Sequence, residues 1–187
     1  MSVLRSLALA AAATFAFTAA SHRPATIFDL SDDVGRVPAA IALSAEDGRT
    51  IALSDLRGEP TYVFLFAGWC GPCQQELPFV RSAYAKYGDR VHFVGVDVLE
   101  DADAAKSAIT AAALPFPVAL YPIEQLDAVV PPDVQLHAGT KYHIPADFLL
   151  DANGVVRYAW HGLAITEAGD PVDVLPSYLA KLGIDGS

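Results

Sequence analysis

Residues 61–66 read Thr-Tyr-Val-Phe-Leu-Phe, and residues 67–73 continue as Ala-Gly-Trp-Cys-Gly-Pro-Cys. The first segment is a continuous apolar run of β-branched and aromatic residues, which is typical of a strand buried on both faces of a sheet. The pattern after residue 70 is helical. The sequence therefore places Cys70 and Cys73 where a buried strand ends and a helix begins.

The helix is indicated by apolar side chains that recur at intervals of three and four residues and so form one stripe. They are Leu77, Val80, Tyr84 and Tyr87. A helix that starts here places Cys70 beside unpaired backbone N–H groups and the positive end of the helix dipole. Because both favour an anion, we expect the pKa of the Cys70 thiol to fall below its free value of about 8.5.

The spacing of the two cysteines brings Cys73 to the same side of the first helical turn, so the two sulfurs can close a disulfide. Pro72 stands just inside the helix start, where its missing N–H costs nothing. Gly71 has no side chain that would shield Cys70. We therefore predict an exposed, attacking Cys70 and a shielded, resolving Cys73.

Three other interpretations of the pair stay open at this point. A structural disulfide would close a four-residue loop, worth roughly 2 kcal/mol. Copper binding would use the pair plus a distant histidine. A zinc site would need two further ligands, and the histidines form no second ligand pair. They are His22, His92, His137, His143 and His161.

Strand and helix patterns alternate along the rest of the chain and predict an α/β fold with a mixed central sheet flanked by helices. Hairpins are expected around the turn signals Glu46-Asp47-Gly48 and Asp151-Ala152-Asn153-Gly154. We predict strands over 40–44, 50–53, 91–98, 118–120, 147–150 and 155–161, helices over 102–113 and 172–182, and an irregular, proline-rich segment over 121–143.

The N-terminus has the pattern of a secretory signal peptide. Arg5 precedes an apolar stretch over residues 7–20 that ends in small residues. A membrane span needs roughly 20 apolar residues, so this stretch is short for an anchor. We expect a signal peptide over 1–20, with an uncleaved anchor as the alternative, an extended lead-in over 21–38 and one folded domain over 39–187.

The composition predicts a folded core and limits the possible partners. The chain has 187 residues, 53% of them hydrophobic, which is ample material for a core. Its 12 Lys+Arg face 22 Asp+Glu, for a formal net charge of −10. Because such a chain repels phosphate backbones, we exclude nucleic acid as a partner.

Trp69-Cys70-Gly71-Pro72-Cys73 matches in full the active-site motif of the thioredoxin superfamily. The leader, the early hairpin, residues 74–78 and the helix-strand segment around 100–120 resemble its extracytoplasmic TlpA/ResA-type thiol-disulfide oxidoreductases. Residues 144–154 resemble the cis-proline strand of the family and the hairpin after it. The resemblance implies a thioredoxin-like fold with an N-terminal β-hairpin and a central helix-strand insertion.

By this resemblance, Cys70 is the nucleophile and Cys73 the resolving thiol, with no cofactor beyond their redox-active disulfide and no metal. Trp69 would shape the surface beside the sulfurs. Glu76 matches a glutamate that the family places below the cysteines, where it tunes their pKa. The alternative for Glu76 is a solvated helix residue.

The resemblance also makes Pro145 a cis-proline that faces the disulfide. That bend would expose the backbone of Ile144, so that a client peptide could pair there as an added strand while its cysteine meets Cys70.

One departure concerns a buried aspartate that cytoplasmic thioredoxins carry six residues before the first cysteine. Phe64 stands at that position here. We hypothesise that Asp147 partly replaces the missing acid, because a nearby carboxylate raises a cysteine pKa and makes the pair more reducing. The alternative is that Asp147 is solvated or pairs with Lys141.

Together these features predict a periplasmic protein thiol-disulfide oxidoreductase that reduces client disulfides. A membrane-bound electron donor would then reduce its own disulfide back to the dithiol. The resemblance suggests apocytochrome c or copper-site assembly proteins as clients. One rival function is a redoxin-type peroxidase, which needs a Pro-x-x-x-Thr-x-x-Cys segment that the residues before Cys70 do not supply. The other is a copper-delivery module on the same fold.

Overall fold

A computed structural model describes residues 26–29, 34–35, 42–45, 48–98, 100–121, 144–166 and 168–185. Its strands are β1 (Thr26–Asp29), β2 (Ala42–Ala45), β3 (Thr50–Ala52), β4 (Thr61–Phe66), β5 (His92–Val98), β6 (Val118–Tyr121), β7 (Ala146–Leu150) and β8 (Val156–Ile165). Its helices are α1 (Gly71–Tyr87), α2 (Ala102–Ala112) and α3 (Leu175–Lys181), with a 3-10 turn at Leu53–Leu56.

Over the described residues the strands form one mixed sheet in the order β1-β8-β7-β4-β5-β6-β2-β3. The β4–β5 and β5–β6 pairs are parallel, and β7 and β8 add antiparallel strands beside β4. The early hairpin, β2 with β3, joins the other side through β6. The predicted mixed α/β architecture and both predicted hairpins are confirmed. Residues 26–29, within the predicted lead-in, pair with β8.

The centre of the sheet is apolar on both faces. All six residues of β4 are buried, as predicted, and so are six of the seven in β5. The Tyr62 ring packs against Phe93 and Trp160, with centroids 5.2 and 6.3 Å away. β4 lies between β7 and β5 at the centre of the sheet. The cysteines, which follow β4 in the chain, therefore lie beyond the C-terminal end of a central strand.

Two predicted boundaries differ from the structure by three residues or more, and the others lie within two residues. The last helix begins at Leu175 rather than at residue 172, because the Asp173 carboxylate accepts the Leu175 N–H and so ends the approach segment there. β8 runs on to Ile165, beyond the predicted residue 161, since β1 pairs with this extension.

Several predictions fall outside the described residues, namely the signal peptide over 1–20, most of the lead-in and all but the first residue of the irregular segment over 121–143. That first residue, Tyr121, belongs to β6 because it pairs with Val98 of β5. Among the helices that the structure does describe, none is both long enough and apolar enough to cross a bilayer.

Candidate active site

Cys70 and Cys73 form a disulfide at the start of α1, with their Cα atoms 5.2 Å apart. Cys70 is the N-cap of the helix, and its Sγ accepts the backbone N–H of Cys73 at 3.1 Å. Gly71 and Pro72 are exposed in the first turn. The predicted place of the pair at a helix N-terminus is confirmed, and this N–H is positioned to stabilise a Cys70 thiolate.

The predicted exposure of Cys70 is wrong for the disulfide form. Cys70 is only 3% exposed and Cys73 is fully buried. The cause is the segment before β7, since the Ile144 carbonyl oxygen lies 3.7 Å from the Cys70 Sγ. Trp69 is 50% exposed and lies next to Cys70 in the chain. Trp69, Gly71 and Pro72, which stand beside and between the cysteines, are therefore more open to solvent than the sulfurs themselves.

The peptide bond between Ile144 and Pro145 is cis, as predicted. Both residues are buried, and they place the Ile144 carbonyl beside the disulfide. The role of the Ile144 backbone in binding a client strand stays a prediction.

Glu76 lies one helical turn after Cys73 and on the same buried side of α1. It is 8% exposed, so the interpretation as a solvated helix residue is wrong. Its Oε2 is buried and has no hydrogen-bond partner among the described residues. Burial, and then the charges of Asp147 and Asp173, raise the pKa of Glu76 well above its ordinary value.

Asp147 is fully buried on β7, so it is not solvated. Its hypothetical partner Lys141 lies outside the described residues. The Tyr62 hydroxyl donates a hydrogen bond to Asp147 Oδ1. Burial raises the pKa of Asp147 to about 8, against the lowering effect of the Tyr62 hydrogen bond and with a further rise from Asp173. Asp147 therefore holds a proton at neutral pH more readily than an ordinary aspartate.

Sequence reasoning did not single out Tyr62 or Asp173. Tyr62 lies in an apolar strand, which predicts a place in the core, although a buried tyrosine hydroxyl usually needs a polar partner. Asp173 precedes α3, is half-buried, and lines a small cavity together with Tyr62, Glu76 and Trp160. The need of the Tyr62 hydroxyl for a buried polar partner was therefore the one feature of the sequence that could have pointed to this cluster.

A second carboxyl pair supports the loop before the cysteines. Glu100 Oε2 accepts the Gly68 N–H at 3.0 Å. Asp97, at the end of β5, is buried, and its pKa is raised to about 8 by burial and then by the neighbouring Glu100 carboxyl group. Neither residue was predicted as part of the site.

No group of three or more His, Cys, Asp or Glu side chains that could hold a metal ion occurs in the described part of the chain. The chemistry that the described geometry offers is that of the sulfur pair and the buried carboxyl groups below it.

Comparison with known proteins agrees with this geometry. Residues 33–173 match the family model described as Redoxin. A thiol-disulfide oxidoreductase ResA of Bacillus thuringiensis is 27% identical over 66% of this chain and 66% of its own length. A ResA of Geobacillus thermodenitrificans is 30% identical over 66% of this chain and 67% of its own. The alignments thus span about two thirds of these relatives.

Among solved structures, the thioredoxin domain of a thiol-disulfide oxidoreductase from Bacteroides vulgatus superposes with a TM-score of 0.64. It is 19% identical, and the match covers 80% of this chain and 96% of that domain. The predicted thioredoxin-like fold is confirmed.

Proposed function

The chain belongs to the Redoxin family and, within the thioredoxin superfamily, to the ResA-type thiol-disulfide oxidoreductases, and from this premise we propose that it reduces disulfides of client proteins outside the cytoplasm. The observation that carries the proposal is the Cys70–Cys73 disulfide at the N-terminus of α1.

The reaction begins when a reduced Cys70, as thiolate, attacks one sulfur of a client disulfide. A Cys70–client bond forms, the client disulfide breaks, and the other client sulfur leaves as a thiolate that takes a proton from water. Cys73 then loses its proton and attacks the Cys70 sulfur. The Cys70–Cys73 bond forms, and the second client sulfur leaves with its electron pair.

The groups around the sulfurs favour reduction of the client over its oxidation. The Gly71-Pro72 pair between the cysteines resembles that of reducing thioredoxins. Cys73 is fully buried, and burial disfavours its charged thiolate form. The buried carboxyl groups of Glu76 and Asp147 add to this effect in the fraction of molecules in which they are ionised. A destabilised thiolate makes the dithiol the better reductant.

The location and partners follow from the leader and the exposed side of the site. A secretory leader over 1–20 would deliver the domain to the periplasm. There, a membrane-bound electron donor would return the disulfide to the dithiol. Clients would approach over Trp69, and apocytochrome c or copper-site assembly proteins are the proposed candidates.

Trapping with Cys73→Ser tests the proposal, with Cys70→Ser as the matched control. In extracytoplasmic extracts, Cys73→Ser should accumulate a mixed disulfide on Cys70 that dithiothreitol releases, whereas Cys70→Ser should not. The purified wild type should reduce insulin disulfides and equilibrate with glutathione as a reducing couple. A potential near that of strong oxidases would reverse the proposed direction.

The two rival functions have their own measurements. A peroxidase would consume hydrogen peroxide with turnover that depends on Cys70. A copper-delivery module would bind copper through the reduced pair and leave insulin disulfides intact.

A further inference from the structure

Three ionisable side chains line one small buried cavity, and a fourth is hydrogen-bonded to one of them. They are Tyr62 on β4, Glu76 on α1, Asp147 on β7 and Asp173 before α3. The charge of Asp173 acts on each of the other three, and the charge of Asp147 acts on Tyr62 and Glu76. The groups are therefore close enough to influence one another's protonation.

These side chains differ in solvent exposure, so one end of the cluster lies deeper in the protein than the other. Asp147 and Tyr62 are almost fully buried, Glu76 is nearly so, and Asp173 is half-buried. Among the described residues, Lys86 on α1 is a cation whose charge acts on Asp173. Asp173 is thus the member nearest to solvent and to positive charge.

Unpartnered polar atoms point to proton exchange within the cluster. Asp147 Oδ2, Glu76 Oε2 and Trp160 Nε1 are buried without a hydrogen-bond partner among the described residues. The cavity lined by Tyr62, Glu76, Trp160 and Asp173 is small but large enough to admit a water molecule. The Tyr62 hydroxyl, which donates to Asp147, can also accept.

The proposed reaction would use such a path. Cys73 is fully buried and must lose a proton before it can attack Cys70. In the proposed mixed disulfide the client would lie over the exposed Trp69 side. A path through the interior would let the proton leave without crossing the bound client.

We propose that Asp147, Tyr62 and Asp173 continue from Glu76 as a proton path that carries the Cys73 proton to solvent on the side away from the client. The inference rests on the proposed function and deepens it. In the resolving step the Cys73 S–H proton passes to a carboxylate of the cluster while the Cys70–Cys73 bond forms and the Cys70–client bond breaks. The client sulfur keeps the electron pair, and the cluster releases the proton at Asp173.

The experiment separates the two chemical steps. Reduced protein is mixed with excess of a short peptide disulfide, and the fluorescence change of Trp69 is followed by stopped flow from pH 5 to pH 9. A phase that depends on peptide concentration reports attack by Cys70. A phase that does not depend on it reports attack by Cys73. Only the second phase should slow in heavy water.

Asp147→Asn and Tyr62→Phe should slow the second phase about tenfold or more, since positioned proton transfer contributes at least that much. They should slow the first phase less and should shift the pH inflection of the second. Asp173→Asn should slow the same phase, while Asp170→Asn, which alters an exposed neighbour, should match wild type. Asp147→Glu should restore part of the rate.

Wild-type rates and pH inflections in Asp147→Asn and Tyr62→Phe would overturn the path. If Asp147→Asn does not fold, Tyr62→Phe and Asp173→Asn decide the matter by the same criterion. A wild type that shows neither phase would instead contradict the proposed function, so the two failures are distinguishable.

Discussion

Asp147 lies directly opposite Phe64 across the antiparallel pair of β4 and β7. Register partners project to the same face of a sheet, so the carboxyl group enters the apolar layer that also holds the Phe64 ring. Tyr62 is two residues earlier on that face, and its hydroxyl therefore reaches Asp147. A buried acid therefore lies beside the position of Phe64, but on β7 rather than on β4. That it takes the role of the β4 aspartate stays a hypothesis.

Tyr62→Phe should raise the pKa of Asp147 above its value of about 8, because the hydrogen bond that now lowers it is lost. The free energy of unfolding should fall by about 1–3 kcal/mol, the cost of an unsatisfied buried group. Carbon-13 titration of the Asp147 carboxyl and urea unfolding measure the two effects. Tyr84→Phe, at a half-buried ring on α1, should change stability by less than about 0.5 kcal/mol. An Asp147 pKa that stays or falls in Tyr62→Phe would contradict the assignment.

Stability should decrease as the pH rises from about 4 to about 8. Asp97 has a folded pKa of about 8, raised first by burial, whereas an aspartate in the unfolded chain titrates at about 3.9. Between these values the folded state binds the extra proton, so each pH unit costs at most about 1.4 kcal/mol for this group. Asp147 acts in the same direction.

Asp97→Asn should reduce the change in the free energy of unfolding per pH unit by the contribution of about one bound proton. Urea unfolding of the oxidised protein at pH 5, 6 and 7 measures this slope. The exposed Asp103→Asn serves as the control and should keep the wild-type slope. Equal slopes in Asp97→Asn and wild type would show that Asp97 is ionised in the folded state.

The start of α1 could be predicted because its causes are local in the sequence. Contacts between distant segments could not be predicted in this way. The N-cap position of Cys70 follows from the residues beside it in the chain. The bond from Gly68 to Glu100 joins residues 32 positions apart, and the one from Tyr62 to Asp147 joins residues 85 apart. The expected exposure of Cys70 was wrong for a similar reason, since Ile144 covers it from a distant segment.

Asp101→Ala should destabilise the protein by about 1 kcal/mol. The Asp101 carboxylate accepts the N–H groups of Asp103 and Ala104 and so satisfies two free donors at the start of α2. Asp101→Asn should cost much less, because asparagine caps a helix nearly as well. Thermal and urea unfolding of the two variants give the comparison, and equal losses would mean that charge rather than capping is at work.

Gly68→Ala should destabilise the protein and disturb the cysteine loop. A Cβ at residue 68 would lie 2.7 Å from the Ala108 Cβ and 3.2 Å from Glu100 Oε1, so α2 and the loop must move apart. We expect a loss of about 1–3 kcal/mol, as for other overpacked sites, and slower attack by Cys70 on a peptide disulfide. In Gly71→Ala the added Cβ has no atom within 4 Å. The free energy of unfolding of this variant should therefore differ from that of the wild type by less than about 0.5 kcal/mol.

The double variant Gly68→Ala with Ala108→Gly distinguishes the clash from other effects of the alanine at residue 68. Removing the Ala108 Cβ relieves the contact, although a glycine inside α2 itself costs about 1 kcal/mol. The double variant should therefore recover the rate of attack by Cys70 more fully than it recovers stability. If Gly68→Ala is as stable and as fast as wild type, α2 does not set the position of the loop that carries Cys70.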